Sequence, residues 1–205
     1  MASEYVDVSI PDIFFEMKKI PMFKHAVVAG GWLRNQVLSV KPNDLDIFVP
    51  ITSESKFYGE FQTNFEELKK LGLSFTDETM VPGIVKSDGG YTHKPDLRIQ
   101  YNLKGPDGLD IDVMAMRLNV DGFMANLIEG FPFANQQIVT DGKKFIHSEG
   151  FDRDIEKDTM TLRLIHNSSE LPKLIEKFNK VKALYPNIRF KTDYVLQKRT
   201  GDDWL

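Results

Sequence analysis

The sequence predicts an α+β domain in which helices flank a small mixed or antiparallel sheet, with a short helical segment at the C-terminus. Three observations support this class. A short apolar run, 26–29, ends at Gly30-Gly31 and continues directly into a helical pattern. A second apolar strand, 45–49, begins with two aspartates that are two residues apart. An antiparallel hairpin over 97–116 turns at Gly-Pro-Asp-Gly, and its return strand carries another such aspartate pair.

Helical periodicity and turn residues place the remaining elements. Helices are predicted over 11–20, 32–38, 57–71, 121–130, 152–166 and 171–185, and a small hairpin over 137–146. The last helix has Ser168 or Ser169 as its predicted N-cap. The sequence has no internal repeat or long linker. We therefore expect residues 1–150 to form the catalytic domain and residues 151–205 to form a helical segment packed on it.

The composition limits the kind of site and the location. The 205 residues suffice for one buried core, and the absence of cysteine excludes a disulfide framework, a thiolate metal site and a cysteine nucleophile. Oxygen or imidazole must therefore hold any metal. We find neither a signal-peptide pattern nor an apolar run of the roughly 18 residues that a membrane span needs. The sequence therefore predicts a cytoplasmic protein without membrane contact.

The spacing of the aspartates points to metal-assisted phosphoryl chemistry. Asp44 and Asp46 alternate along one strand and therefore share a face, and Asp110 and Asp112 do the same on a later strand. Carboxylate oxygens are the ligands that Mg²⁺ prefers, and a pair of such ions can serve both oxygens of a phosphoryl displacement. Glycines where a strand passes into a helix allow the backbone to approach a phosphate closely. These parts together predict a site for a nucleoside triphosphate.

The order of these parts also resembles a known family. GGWLRN followed by NDLDIFV is similar to the signature of tRNA CCA-adding enzymes and bacterial poly(A) polymerases, members of the DNA polymerase β-like nucleotidyltransferase superfamily. It also resembles short nucleotidyltransferases often encoded by tailed phages, whose location would be the host cytoplasm. The likeness is strong over 26–50, extends to 109–116 and is weak elsewhere. It implies the nucleotidyltransferase fold of this superfamily.

The resemblance implies roles for the aspartates. Asp44, Asp46 and a third aspartate would hold two Mg²⁺ ions, or Mn²⁺ in their place, and act on an NTP such as ATP. Asp112 is preferred as the third because members of the superfamily usually follow it directly with apolar residues, as 113–116 are here. Asp110 remains the alternative.

Further residues are expected to bind the nucleotide, and one departs from the family pattern. The expected nucleotide-binding residues are Gly30, Gly31, Arg34 and Arg163. Asn35 stands where the family has an aspartate, which leaves the role of that aspartate open. We recognise neither the base-selecting motif of CCA-adding enzymes nor room for their body and tail domains. Ordered CCA synthesis is therefore not predicted.

The acceptor is open among three hypotheses. An RNA 3′ end, such as that of a tRNA, is favoured because the similar families use one and because residues 171–200 hold eight basic residues and two acidic ones. The net charge of −4 agrees equally with transfer to a protein side chain or a small molecule. The third hypothesis is a non-catalytic module of the same fold that binds a nucleotide or a partner.

Overall fold

The computed structural model describes residues 8–75, 97–165 and 170–196. The α-helices are α1 (Asp12–Met17), α2 (Gly31–Val37), α3 (Glu54–Thr63), α4 (Phe65–Lys70), α5 (Phe123–Glu129), α6 (Glu149–Glu156) and α7 (Leu171–Leu184). The strands are β1 (Val27–Ala29), β2 (Asp44–Pro50), β3 (Ser74–Phe75), β4 (Leu97–Lys104), β5 (Asp110–Met116), β6 (Ile138–Thr140), β7 (Phe145–His147), β8 (Thr159–Ile165) and β9 (Arg189–Leu196). The predicted caps Ser168 and Ser169 lie outside the described residues.

The predicted α+β class is confirmed by a seven-stranded mixed sheet flanked by helices. The strand order is β3-β4-β5-β2-β1-β6-β7, and the two hairpins expected from the turn residues form β4-β5 and β6-β7. All neighbouring strands of this sheet are antiparallel except β2 and β5, which run parallel in the centre. This central parallel pair is the part of the sheet that positions the site.

Both faces of the sheet are covered by apolar side chains, because the strands alternate between two cores. One core packs Leu45 and Ile47 of β2 against α1, α3 and α4. The other packs Phe48 and Met114 against α5 and the segment that follows it. Asp46 lies two residues before Phe48 and therefore on the second face. The acidic residues thus begin where the apolar surface of that face ends.

The C-terminal part differs from the prediction, because the helix expected over 152–166 is only half helical. α6 ends at Glu156, and after Asp158, which has a positive φ of 50°, the chain continues as β8. β8 pairs in parallel with β9, which follows α7 along the chain. The region expected to be helical therefore contains a β-α-β unit. Residue 166, the end of the predicted helix, lies outside the described residues.

Asp154 explains why the chain changes direction here. Its carboxylate is 1% exposed and accepts hydrogen bonds from the Thr161 backbone N–H at 2.8 Å and the Thr161 hydroxyl at 2.6 Å. The Thr159 hydroxyl donates to the same carboxylate at 2.7 Å. A buried carboxylate in α6 therefore binds the first residues of the next strand. A helix extended through 166 would lose all three bonds.

One smaller difference concerns the helices. The periodic stretch predicted as one helix over 57–71 is divided at Asn64 into α3 and α4 and ends before Gly72, whose φ is +81°. The helices predicted near 121–130 and 171–185 are present as α5 and α7.

Within the described ranges, no helix combines the length and apolar character that crossing a bilayer requires.

Candidate active site

The parallel pairing of β2 with β5 gathers aspartates on one face of the sheet. The register places Asp44 opposite Asp110 and Asp46 opposite Asp112. Ligand oxygens of Asp44, Asp46 and Asp112 lie within 4.8 Å of one another. Two strands that are distant in sequence thus supply one compact carboxylate cluster, which is the group of aspartates that the sequence analysis preferred.

Asp110 lies at the rim of this cluster. It is 56% exposed and forms an ion pair with Lys104, its cross-strand neighbour on β4. Among the described residues, the close group that offers metal ligands contains Asp112 and does not contain Asp110. The geometry therefore favours Asp112 as the third carboxylate, and the metal-binding role itself stays a prediction.

The surroundings of Asp112 disfavour its negative charge. Burial, followed by the nearby carboxylates of Asp44 and Asp110, raises the pKa of Asp112 to about 6, against the lowering effect of a hydrogen bond from Gln100. Asp46, in the same cluster, is only 4% exposed. Negative charges held this close and this far from water call for a compensating cation.

The cluster fits divalent cations by the chemistry of its donors. It offers carboxylate oxygens from three residues, the hard ligands that Mg²⁺ and Mn²⁺ accept. Asp44 is exposed and Asp112 is partly exposed, so the cluster opens to solvent on one side while Asp46 closes it on the other. An ion held there would retain water ligands that substrate oxygens can replace.

The glycine turn lies at the end of β1, the strand beside β2. Gly30 has φ 75° and ψ −123°, a conformation accessible essentially only to glycine, and its N–H donates to the carbonyl of Ile138 at 3.1 Å. A Cβ on Gly30 would come within 3.1 Å of the Phe131 ring. Gly31 begins α2 and has space around it, since the nearest atom to a Cβ there is Nη2 of Arg34 at 3.9 Å. Gly30 thus fixes the turn, and Gly31 leaves the backbone accessible beside a guanidinium.

Asn35 orients Arg34. Nε and Nη2 of Arg34 both donate to Oδ1 of Asn35, at 3.0 and 2.7 Å, and both side chains are buried. An aspartate here would accept the same two bonds but would also offset the charge of the guanidinium. Asparagine keeps the orientation and leaves the positive charge available to other groups.

Lys177 is a candidate site residue that the sequence analysis missed. Periodicity places Lys173, Lys177 and Lys180 on the polar side of α7, and a side of this kind ordinarily faces solvent. In the structure Lys177 is partly buried, and its ammonium and Nη1 of Arg34 lie 3.1 and 3.3 Å from one end of the Gln136 amide, which we assign as the oxygen. Both neighbours of this amide are donors, which sets its orientation. Local periodicity contains no signal for this placement.

The electrostatic environment also links Lys177 to the aspartates. Burial lowers the pKa of Lys177 to about 8; Asp46 and, more weakly, Asp44 act in the opposite direction, while Arg34 lowers it further. The ammonium therefore interacts electrostatically with both the carboxylate cluster and the guanidinium. Two basic and three acidic side chains meet in one region.

Arg163 lies on β8 and is exposed. Its Nη1 lies 3.2 Å from the place that a Cβ would occupy if Gly150 of α6 carried a side chain. Its backbone N–H donates to the carbonyl of Pro132. The predicted contact of Arg163 with a nucleotide stays a prediction.

Comparison with solved structures identifies the type of fold. A CCA-adding enzyme in complex with CTP superposes with a TM-score of 0.57 at 19% identity over 91% of this chain and 42% of the enzyme. A Thermotoga maritima CCA-adding enzyme complexed with tRNA gives a TM-score of 0.55 at 18% identity over 91% of this chain and 41% of the enzyme. A CCA-adding enzyme with ATP gives a TM-score of 0.55 at 20% identity over 92% of this chain and 41% of the enzyme. No protein-family model matches the chain, and no curated protein matches its sequence.

These likenesses establish the fold. The chain has an α+β fold similar to that of CCA-adding enzymes, which is consistent with the polymerase β-like nucleotidyltransferase fold that the resemblance implies. It spans about two fifths of the length of those enzymes. Identities near one fifth leave substrate and reaction to be argued from the residues of this chain.

Proposed function

We propose that the protein is a metal-dependent nucleotidyltransferase that transfers NMP from an NTP to an acceptor hydroxyl, with an RNA 3′ end as the favoured acceptor. The observation that carries the proposal is the convergence of Asp44, Asp46 and Asp112 on the sheet face where β2 meets β5. The fold supports it, because solved structures with this fold include CCA-adding enzymes in complex with CTP, ATP and tRNA.

In this reaction the acceptor oxygen attacks the α-phosphorus of the NTP while the bond from that phosphorus to the bridging oxygen breaks. The hydroxyl proton is lost to solvent or a nearby base, and pyrophosphate leaves with the bonding electrons. Divalent cations bound by the three aspartates would lower the pKa of the hydroxyl and offset the charge of the pyrophosphate. The protein's main contribution is therefore position and charge.

The chain's own residues supply distinct parts of this arrangement. Asp46 is buried and held on a central strand, so its carboxylate has a fixed position. Arg34, oriented by Asn35, would bind a phosphate as a charged fork. Gly31 would let the triphosphate approach the backbone. Arg163 would contact the nucleotide from β8.

The activity assay needs both the wild type and aspartate variants. Wild-type protein is incubated with Mg²⁺ or Mn²⁺, each α-labelled NTP and a pool of small RNAs. We expect labelled RNA from the wild type. Because Asp46 is central to the cluster, Asp46→Asn should reduce the rate by roughly a thousandfold or more, the effect of several kcal/mol in the barrier. Asp110→Asn tests the alternative third carboxylate and should retain most of the activity, since Asp110 pairs with Lys104.

The same assay separates the acceptor hypotheses. Label on a protein or a small molecule in place of RNA would keep the chemistry and change the acceptor, in line with the net charge of −4. If the wild type were as silent as Asp46→Asn toward RNA, protein and small-molecule acceptors, the proposed reaction would be wrong. NTP binding without turnover or metal dependence would then favour the non-catalytic module.

A further inference from the structure

Helix α7 places one of its lysines against α2. Lys177 and Arg34 share the side-chain oxygen of Gln136, at 3.1 and 3.3 Å, although they come from opposite ends of the described chain. Gln136 is 1% exposed and sits in the short 3₁₀ helix Ala134–Gln136 that precedes β6. A buried amide thus lies within hydrogen-bond distance of both an ammonium and a guanidinium.

Two like charges held together need an anion nearby. In the structure the carboxylates of Asp46 and Asp44 act on Lys177, while Arg34 opposes its charge. If those carboxylates bind divalent cations, their charge is no longer available to the two basic groups. The region then has an excess of positive charge, which a tetra-anionic triphosphate would offset. The natural anion for the pair is therefore the polyphosphate of the substrate.

We propose that Lys177, held beside Arg34 by Gln136, binds the triphosphate of the NTP, so that α7 forms one wall of the nucleotide site. This inference rests on the proposed function and adds to it a phosphate-binding residue outside the glycine and aspartate motifs. The ligand class is a polyphosphate, free or as part of a nucleotide.

The neighbouring lysine shows what a solvent-facing position on this helix looks like. The Lys180 side chain is 74% exposed and pairs with Glu176 at 2.9 Å in an i,i+4 contact. Lys177 is partly buried and faces Gln136 from one helical turn away. An RNA backbone running along α7 would meet Lys180 more readily than Lys177, because Lys177 is less exposed and its ammonium lies against Gln136. The burial of Lys177 therefore favours the nucleotide over the RNA.

Binding of inorganic triphosphate in the presence of Mg²⁺, measured by titration calorimetry, tests the inference directly. Lys177→Gln removes one charge-assisted hydrogen bond, and we expect the dissociation constant to rise about tenfold to a hundredfold. Lys180→Gln makes the same charge change three residues away and should stay within about twofold of the wild type. Lys177→Arg keeps the charge and should bind triphosphate more tightly than Lys177→Gln. Adenosine without phosphates should not distinguish Lys177→Gln from the wild type.

The outcomes separate this inference from the proposed reaction. Triphosphate binding that depends on Lys177 supports the inference even if no acceptor is ever labelled. Equal dissociation constants for the wild type and a folded Lys177→Gln, or equal losses in Lys177→Gln and Lys180→Gln, would overturn it while leaving nucleotidyl transfer intact. If circular dichroism shows that Lys177→Gln does not fold, Lys177→Arg becomes the test variant. Its dissociation constant for triphosphate must then lie within about fivefold of the wild-type value.

Discussion

Replacing Asp112 with asparagine should stabilise the metal-free protein above neutral pH while removing its activity. In the folded chain, burial and the charges of Asp44 and Asp110 raise the pKa of Asp112 from 3.8 to about 6. The ionised form is therefore less favourable in the folded chain than in the unfolded one. Asparagine keeps the shape of the side chain and removes the charge, so it relieves this penalty wherever Asp112 would be ionised.

The size of the gain follows from the pKa difference. Each pKa unit corresponds to about 1.4 kcal/mol, so the full shift sets an upper limit of about 3 kcal/mol. Asp112 is partly exposed, and solvent screening reduces the expected gain to about 1 kcal/mol. The folded state binds more protons than the unfolded state between pH 3.8 and about 6, so wild-type stability falls as pH rises through this window. The gain from asparagine should grow through the same window and level off above about pH 7.

Urea unfolding in EDTA at several pH values measures this effect. Asp110→Asn is the comparison variant. It removes the smallest of the three effects that raise the pKa of Asp112 and also breaks the exposed ion pair with Lys104, so its gain should be well below that of Asp112→Asn. Transfer activity of Asp112→Asn should be lost at every pH. An Asp112→Asn variant that was no more stable than the wild type at pH 7.5, or equally stabilised at pH 4.5 and 7.5, would refute the account of a charge-strained cluster.

Three further predictions concern neighbouring parts of the structure. Asn35→Ala removes two hydrogen bonds from the adjacent guanidinium and should raise KM for the NTP by about tenfold, while Asn35→Asp keeps the acceptor and should stay within about threefold in steady-state kinetics. Gly30→Ala forces a side chain into a glycine conformation and should lower the free energy of unfolding by about 2 kcal/mol, with a smaller loss for Gly31→Ala in the same urea titration. Asp154→Ala removes the acceptor of three hydrogen bonds and should lower the free energy of unfolding by about 3 kcal/mol. Glu156 is exposed, so Glu156→Ala should change the free energy of unfolding little, and equal thermal shifts for the two variants would contradict the role of Asp154 in starting β8.

The parts of the fold that sequence predicted well are those in which local pattern decides the structure. The alternation of Asp44 and Asp46 with apolar residues identified β2 and the face on which its aspartates lie. The Gly-Gly turn identified the start of α2. Period-two and period-3.6 patterns survive folding because each element must bury one side. Those elements hold most of the candidate site.

The failures occurred where a distant contact decides the structure. Residues 159–165 became a strand because Asp154 and β9 supply its partners, and neither partner is visible in a local helical pattern. Lys177 lies on the polar side of α7, as periodicity predicts, but only the packing of that helix determines whether the polar side meets solvent or the site. By contrast, Asp112, which the sequence analysis preferred over Asp110, is the aspartate that lies with Asp44 and Asp46 once β2 and β5 pair. The sequence left Asp110 as an alternative because it does not show how the two strands pair.

The parallel contact between β2 and β5 has a consequence for how the protein matures. Asp44 and Asp110 are neighbours across the sheet although more than sixty residues separate them along the chain. Closing so long a loop is slow relative to forming hairpins and helices, which need only nearby residues. A nascent or partly folded chain can therefore contain every helix and hairpin and still have no assembled carboxylate cluster. The candidate metal site should therefore form late in folding, when the central strands pair.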